Sequence, residues 1–315
     1  MRMPVKKKWW GLGIVIIIAG LWWFNHAPGD FRVPQIVTIE EGTNLNEIAS
    51  LLNEQTIIGY PWFFRLVLAL RSSNEPVIAG DYWFAERTST YGVAKRMATG
   101  QFDLDLAKIT IPEGVTVAEV AKIISRAVPA FDADEFVRLA TAREGYLFPD
   151  TYFFSPQITP ERVIKIMSRN FESRLRPLQQ EITDSGRTLE QIVIMASLLE
   201  EEAKDSQTRK TISGILWKRF DDGMKLQVDA VFPYILNKSA LNITLKDLQT
   251  DSPYNTYRYA GLPGGPISNP GLDAVVAALR PAETKFWYYL ADYEGRTHFA
   301  VNFTEHKTNK NRYLR

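Results

Sequence analysis

Ile192-Val193-Ile194-Met195-Ala196-Ser197-Leu198-Leu199-Glu200-Glu201-Glu202 is the stretch on which the reading of this chain turns. Eight apolar or small residues with helical character run directly into three carboxylates. Burying a carboxylate is costly unless it is paired, hydrogen-bonded or protonated, so acid at the end of such a run is either a cap in water or a tuned group in a cleft. On a helical wheel Ile192, Met195, Ala196, Leu199 and Ala203 share one apolar face, and Glu201 points away from it into water. Glu200 and Glu202 fall on the two flanks, roughly 160° apart at about 100° per residue, so they do not serve one cleft together. Glu200 lies one or two turns above Val193, Ala196 and Ser197, a surface that raises a carboxyl's pKa and leaves room for a ligand. The pattern alone leaves two readings open: a solvated triplet paired with Lys204, or one acid at the edge of a groove.

Outward from this run, Pro160 to Leu175, Leu189 to Ala203 and Thr208 to Phe220 read as helices. Upstream, a segment occurs twice. Val37-Thr38-Ile39-Glu40-Glu41-Gly42 followed by Thr43 to Ala49 matches Ile109-Thr110-Ile111-Pro112-Glu113-Gly114 followed by Val115 to Ala121. Each copy predicts a β-branched strand, a Glu-Gly turn and a helix with a glutamate in its first turns. With the aromatic-rich helix Pro61 to Leu70 and a strand at Gly80 to Phe84, the block from Val33 to Ser125 reads as a small α+β module. Phe131 to Arg143 follows as an amphipathic helix, and Glu144 to Tyr152 as an aromatic loop or strand. Downstream of Gly223, the Gln227 amide and the Asp229 carboxylate sit just past a helix end. Asp251 to Gly271 has no helical period, and Asn255, Tyr257 and Tyr259 supply polar groups and flat rings suited to a sugar chain. Phe286 to Leu290 and His298 to Phe303 read as two strands.

A length of 315 residues with 45% hydrophobic composition allows about two domains. Thirty-seven Lys and Arg balance 36 Asp and Glu, so no basic field favours nucleic acid. The absence of cysteine excludes disulfides and thiol chemistry, and the scattered His26, His298 and His306 form no zinc motif, so neither metal nor other cofactor is expected. Trp9 to Phe24 is apolar apart from glycines, follows Arg2 and Lys6 to Lys8, and carries tryptophan pairs at both ends. Basic residues on one flank and aromatic belts at both interfaces are the marks of a single membrane span with the remaining chain outside the cytoplasm. A cleaved signal peptide is the competing reading, but no small-x-small site follows the run.

Five ordered motifs carry a resemblance. Glu144-Gly-Tyr-Leu-Phe-Pro-Asp-Thr-Tyr152, Ala196-Ser-Leu-Leu-Glu200-Glu-Glu202, Gly223-Met-Lys-Leu-Gln227-Val-Asp229, Asp251-Ser-Pro-Tyr-Asn-Thr-Tyr257 and Gly261-Leu-Pro-Gly-Gly-Pro-Ile-Ser-Asn-Pro-Gly271 together resemble the YceG-like, or MltG, endolytic murein transglycosylases. The resemblance covers nearly the whole chain. It implies an α+β chain with a membrane anchor over 1–30, a LysM-like module over 31–125 and a catalytic domain over 126–315. It also implies Glu200 as the catalytic acid, a peptidoglycan substrate, contact with peptidoglycan synthases, and residence in the bacterial inner membrane facing the periplasm. The chain departs from the family pattern at Asp229-Ala230-Val231-Phe232 and at Pro263-Gly264-Gly265, which bears on loop shape more than on the acid.

Most glycosidases need two carboxylates, whereas a lytic transglycosylase works with one, because the muramyl C6 hydroxyl replaces water as the nucleophile. Gln227, Asp229, Asn255 and Tyr257 are the candidates for holding the sugar. Two other functions fit the residues: a water-using muramidase with Asp229 or Glu202 as second carboxylate, and a non-catalytic glycan-binding scaffold. Product mass separates the first from a transglycosylase, and sacculus binding without product release would mark the second.

Overall fold

The computed structural model describes residues 18–314 apart from 41, 72–76, 104–105, 237 and 239–242. Its architecture is α+β: helices with three separate two-stranded antiparallel sheets among the described residues, pairing β1 (Gln35–Ile39) with β2 (Gly80–Phe84), β3 (Ala107–Thr110) with β4 (Thr151–Phe154), and β5 (Tyr288–Ala291) with β6 (Thr297–Ala300). Most of the expected membrane run lies outside the described residues. Residues 18–24 of it are helical, and among the described residues no helix is long and apolar enough to cross a membrane.

The chain divides into two compact units, Met1–Leu106 and Ala107–Arg315. The division falls before the second Glu-Gly copy, one strand and one helix ahead of the 125/126 boundary read from sequence. In the first unit β1 (Gln35–Ile39) pairs with β2 (Gly80–Phe84). The helices Leu45–Glu54, Pro61–Arg71 and Thr90–Thr99 pack with them around Leu52, Phe64, Tyr82, Phe84 and Met97.

In the second unit β3 (Ala107–Thr110) pairs with β4 (Thr151–Phe154), and the helix Val117–Ala127 follows β3. The two repeated segments adopt one local solution. Gly42 and Gly114 both take a φ of 81°, a left-handed conformation that suits glycine. Asn44 with Glu47, and Thr116 with Glu119, then form capping boxes that satisfy the first free N–H groups of the helix.

At the centre of the second unit stands the helix Leu189–Glu202, in which every residue from Ile192 to Leu199 is buried. The wheel had assigned one apolar face; the helix is enclosed all round, as a central helix is. Ser206–Asp221 and Leu272–Leu279 pack against it, the latter a short helix in a stretch the sequence reading left unassigned. The surface beside Val193 and Ser197, expected to leave room for a ligand, is filled by the chain itself. Ser197 Oγ accepts the Ile267 N–H at 3.1 Å, and a Cβ on Gly145 would stand 2.9 Å from Val193 Cγ1 and 2.6 Å from Pro266 Cβ.

Asn269 ties these loops together. Its Oδ1 accepts the N–H groups of Gly145 and Leu147, each at 3.0 Å, and its Nδ2 donates to Val115 O and Glu144 Oε1, also at 3.0 Å. Its backbone N–H donates to Val115 O and its carbonyl accepts the Gly114 N–H, both at 2.9 Å. The residue is fully buried, so every lost partner would be a polar group left dry. Asn269→Ala is expected to lower the stability of the second unit by about 3 kcal/mol or more, since several buried groups at about 1–3 kcal/mol each lose a partner. Urea unfolding monitored in the second unit checks this, and an unchanged midpoint would contradict the role given to Asn269.

Candidate active site

Glu200 sits in the last turn of the Leu189–Glu202 helix with its side chain only 7% exposed. Oε1 accepts from Arg209 Nη2 at 2.8 Å, and Oε2 accepts the Gly271 N–H at 2.8 Å. Gly271 is the N-cap of Leu272–Leu279, so Glu200 faces the positive end of a helix. Arg209, itself 5% exposed, is shared: Nη1 bonds Asp273 at 2.5 Å and Nε bonds the Ala203 carbonyl at 3.1 Å. Ser206 Oγ holds the other oxygen of Asp273 at 2.7 Å.

A second acid comes from the Glu113-Gly114 turn. A side chain at Gly271 would run into the Glu113 carboxylate, so glycine is required for that close approach. Burial raises the Glu200 carboxyl above its ordinary value; the Gly271 N–H and the Arg209 charge act against this, and the negative charges of Glu113 and Asp273 add to it. The net direction is upward, because one guanidinium divided between two carboxylates does not offset the loss of water.

Glu201 behaves differently from the expected water-facing residue. It is exposed as a whole, yet its Oε1 lies 2.8 Å from where a Gly114 side chain would start. Desolvation of the carboxyl, with Glu200 and Glu119 nearby, pushes it up to about 7. The Glu-Gly turn therefore roofs the acidic end of the helix.

Glu202 belongs to a separate network on the other flank. Burial raises its carboxyl to about 7 against hydrogen bonds with Tyr289 and the Ala230 backbone, and the Asp229 charge adds to the rise. Tyr257 Oη donates to Asp229 Oδ1 at 2.5 Å. Burial and the bond to Asp229 hold the Tyr257 hydroxyl well above its ordinary value, and burial with Glu202 does the same to Tyr289.

The residues expected to hold sugar gather on this Glu202 side. Gln227 donates its N–H to Thr256 O at 3.1 Å, and Thr256 Oγ1 accepts the Val228 N–H at 3.0 Å, which joins the 227–229 segment to the 255–257 loop. Gln227 is exposed and holds a φ of 54°, a strained backbone position for a side-chain-bearing residue. Asp229 is exposed and Tyr257 half-buried. Asn255 is 1% exposed and organises its own loop: Nδ2 donates to the Leu248 and Thr250 carbonyls, and Oδ1 accepts from Tyr257 N and Arg258 N. Its amide has no group left for a ligand.

Sequence reasoning passed over Arg209, Asp273 and Glu113 as partners of Glu200. Glu113 carried a signal, since its turn was one of the repeated copies. Arg209 and Asp273 carried none, because each is an ordinary first-turn residue of a helix until the fold brings them together. A cavity of about 500 Å³ lined by Arg187, Ile192, Trp217, Lys218 and Thr284 lies elsewhere. Ile192 is eight positions before Glu200, about 12 Å along the helix at about 1.5 Å per residue.

The YceG-like family model matches residues 37–312. The endolytic murein transglycosylase of Bacillus subtilis is 28% identical to the chain, with 90% of this chain and 86% of that protein aligned. The protein of the same name from Streptococcus pneumoniae is 29% identical over 87% of this chain, which spans 57% of the pneumococcal length. A crystal structure of a YceG-like protein from Listeria monocytogenes superposes with a TM-score of 0.59 at 28% identity, covering 87% of this chain and 98% of that one. The motifs around Glu200, Gln227, Asn255 and Gly271 all lie inside the matched segment, and the chain belongs to the YceG-like family.

Proposed function

We propose that the chain is a membrane-anchored lytic transglycosylase that cleaves the bond between N-acetylmuramic acid and N-acetylglucosamine in nascent peptidoglycan, with Glu200 as general acid and then base. The observation that carries this reading is the seat of Glu200: nearly dry, fixed by an N–H and a guanidinium, and opposed by further acids. The names of the relatives support the substrate class and cleavage within strands.

The charge balance suits a one-carboxylate mechanism. Arg209 faces Glu200 and Asp273, and Glu113 adds a third negative group close by. A proton on Glu200 leaves an Arg–Asp pair beside a neutral acid, which can be delivered to the glycosidic oxygen. Once the proton has left, Arg209 and the Gly271 N–H stabilise the carboxylate and hold it in position. In that form it accepts the proton of the muramyl C6 hydroxyl as this oxygen attacks C1, closing a 1,6-anhydro ring. The tethered hydroxyl acts at high effective concentration and makes water unnecessary. Gln227, Asp229 and Tyr257, on the Glu202 flank, would hold a further stretch of the same glycan strand as it runs past Glu200, while Asn255 shapes the loop that carries Tyr257. The N-terminal run would anchor the chain once in the bacterial inner membrane, with a LysM-like first unit and the catalytic unit in the periplasm. That setting suits contact with peptidoglycan synthases.

Three variants check the assignment of roles. Glu200→Gln keeps the shape but removes the acid, and the release of anhydro-muropeptides is expected to fall by about 10²–10⁴-fold. Glu202→Gln, in its own network, is expected to be milder; an equal loss would contradict the division between the flanks. Glu113→Gln removes a negative charge that disfavours ionised Glu200, so the Glu200 pKa falls. Activity is lost as pH rises through that pKa, and the basic limb of the kcat/KM profile is therefore expected to move to lower pH. A limb that stays in place would remove Glu113 from the site's electrostatics.

A further inference from the structure

The helix Pro61–Arg71 in the first unit has two apolar faces. Phe63, Phe64, Val67 and Leu68 enter the core. On the other side Trp62, Leu66 and Leu70, spaced four residues apart, are 46%, 41% and 77% exposed. That spacing makes one continuous stripe about 12 Å long at about 1.5 Å per residue. Arg65 and Arg71 flank the stripe, and the helix contains no acidic residue. Arg65 bonds the Asn46 side chain and Arg71 bonds the Tyr91 hydroxyl at 3.2 Å, which leaves both cations near the surface of the module.

The stripe lies where the N-terminal apolar run enters this unit. Phe24, at the end of that run, packs its ring against Tyr60, Trp62 and Phe63 with centroids 4.9, 5.0 and 6.2 Å away. Trp23 donates to the Tyr60 hydroxyl at 3.0 Å, and Asn25 Oδ1 accepts the Tyr91 N–H at 2.8 Å. Trp22 and Trp23 are themselves 67% and 62% exposed. Two tryptophans at the end of an apolar run belong at the headgroup level, and the contacts through Phe24 set Trp62 beside them.

We infer that the Trp62–Leu66–Leu70 face of this helix lies on the lipid surface, so that the first unit rests on the membrane instead of hanging from a free linker. An apolar stripe carrying Trp and Leu, flanked by Arg and free of acids, is the pattern of a helix lying in the interface of an anionic membrane. Attachment to the anchor keeps that surface at high local concentration, so a short stripe suffices. The inference rests on reading Trp9 to Phe24 as a membrane anchor. It deepens the proposed function, because a first unit held at the membrane keeps the enzyme at the surface where nascent strands emerge.

The chain has no cysteine, so single labelling sites can be introduced cleanly. Leu66→Cys and Leu70→Cys, with the exposed reference sites Glu54→Cys and Glu86→Cys, are spin-labelled in the full chain reconstituted into phosphatidylcholine–phosphatidylglycerol vesicles. Collision with oxygen and with a water-soluble nickel chelate is then measured. The expected result is a severalfold rise in the oxygen-to-nickel ratio at positions 66 and 70 over positions 54 and 86. If the chain floats with the vesicles but positions 66 and 70 read as water, the anchor stands and the docking face is wrong. Exclusion of both reagents at positions 66 and 70 would mean that protein covers the face, which also overturns the proposal. A chain that does not float with the vesicles defeats both the anchor and the docking.

Discussion

The buried amide of Asn269 is the constraint on which the second unit depends. Three segments distant in sequence, the Glu113–Val115 turn, the Glu144–Leu147 loop and the Pro266–Gly271 loop, are joined through it. Its side chain accepts two hydrogen bonds and donates two, and its own backbone adds two further bonds to the Glu113–Val115 turn. Two residues on from Asn269, Gly271 presents its N–H to Glu200, and Glu113 lies against Gly271. Position and electrostatics at the acid thus have one structural origin.

The second consequence concerns charge. A buried ion pair is a poor source of stability, because desolvation consumes most of the Coulombic gain. At Glu200 the guanidinium is divided between two carboxylates, and a third acid stands nearby. The site is therefore short of positive charge and receptive to a proton. This is a different solution from an acid kept neutral in an apolar pocket, which the wheel had suggested. The surroundings of Glu200 are polar and fully engaged, and burial acts on it through the loss of water. The same helix end carries Glu202 in a second network with Tyr289, Asp229 and Tyr257, and the two flanks stay apart as the 3.6-residue period requires.

What the sequence disclosed follows the range of the interactions involved. The Glu-Gly turns and the helices that follow them, each with a glutamate in its first turns, were legible because these are local devices and repetition exposed them; the capping boxes of Asn44 and Thr116 came with the structure. The helices Pro160–Leu175 and Leu189–Glu202 were legible from their period. Leu272–Leu279 was not: with Ala274, Val275, Ala277, Ala278 and Leu279 all buried, it has no polar face to mark a period. Phe303–Tyr313 escaped for the opposite reason, since none of its residues is buried. Among the candidate site residues, Glu200 and the Gln227, Asp229 and Tyr257 group came from motifs. Their separation onto two flanks followed from the wheel only for the glutamates. The Arg209–Asp273 pair and the loop-organising role of Asn255 are tertiary facts, set by contacts that no spacing encodes.

The central claim is that one carboxyl, first acid and then base, closes an anhydro ring without water. Mass analysis of the products released from uncrosslinked glycan strands by the purified protein tests it most directly. The account predicts muramyl ends lighter than a reducing sugar by one water, with no oxygen-18 incorporated when the reaction runs in labelled water. Reducing ends carrying the label would contradict it, and would make the chain a hydrolase with a second working carboxylate.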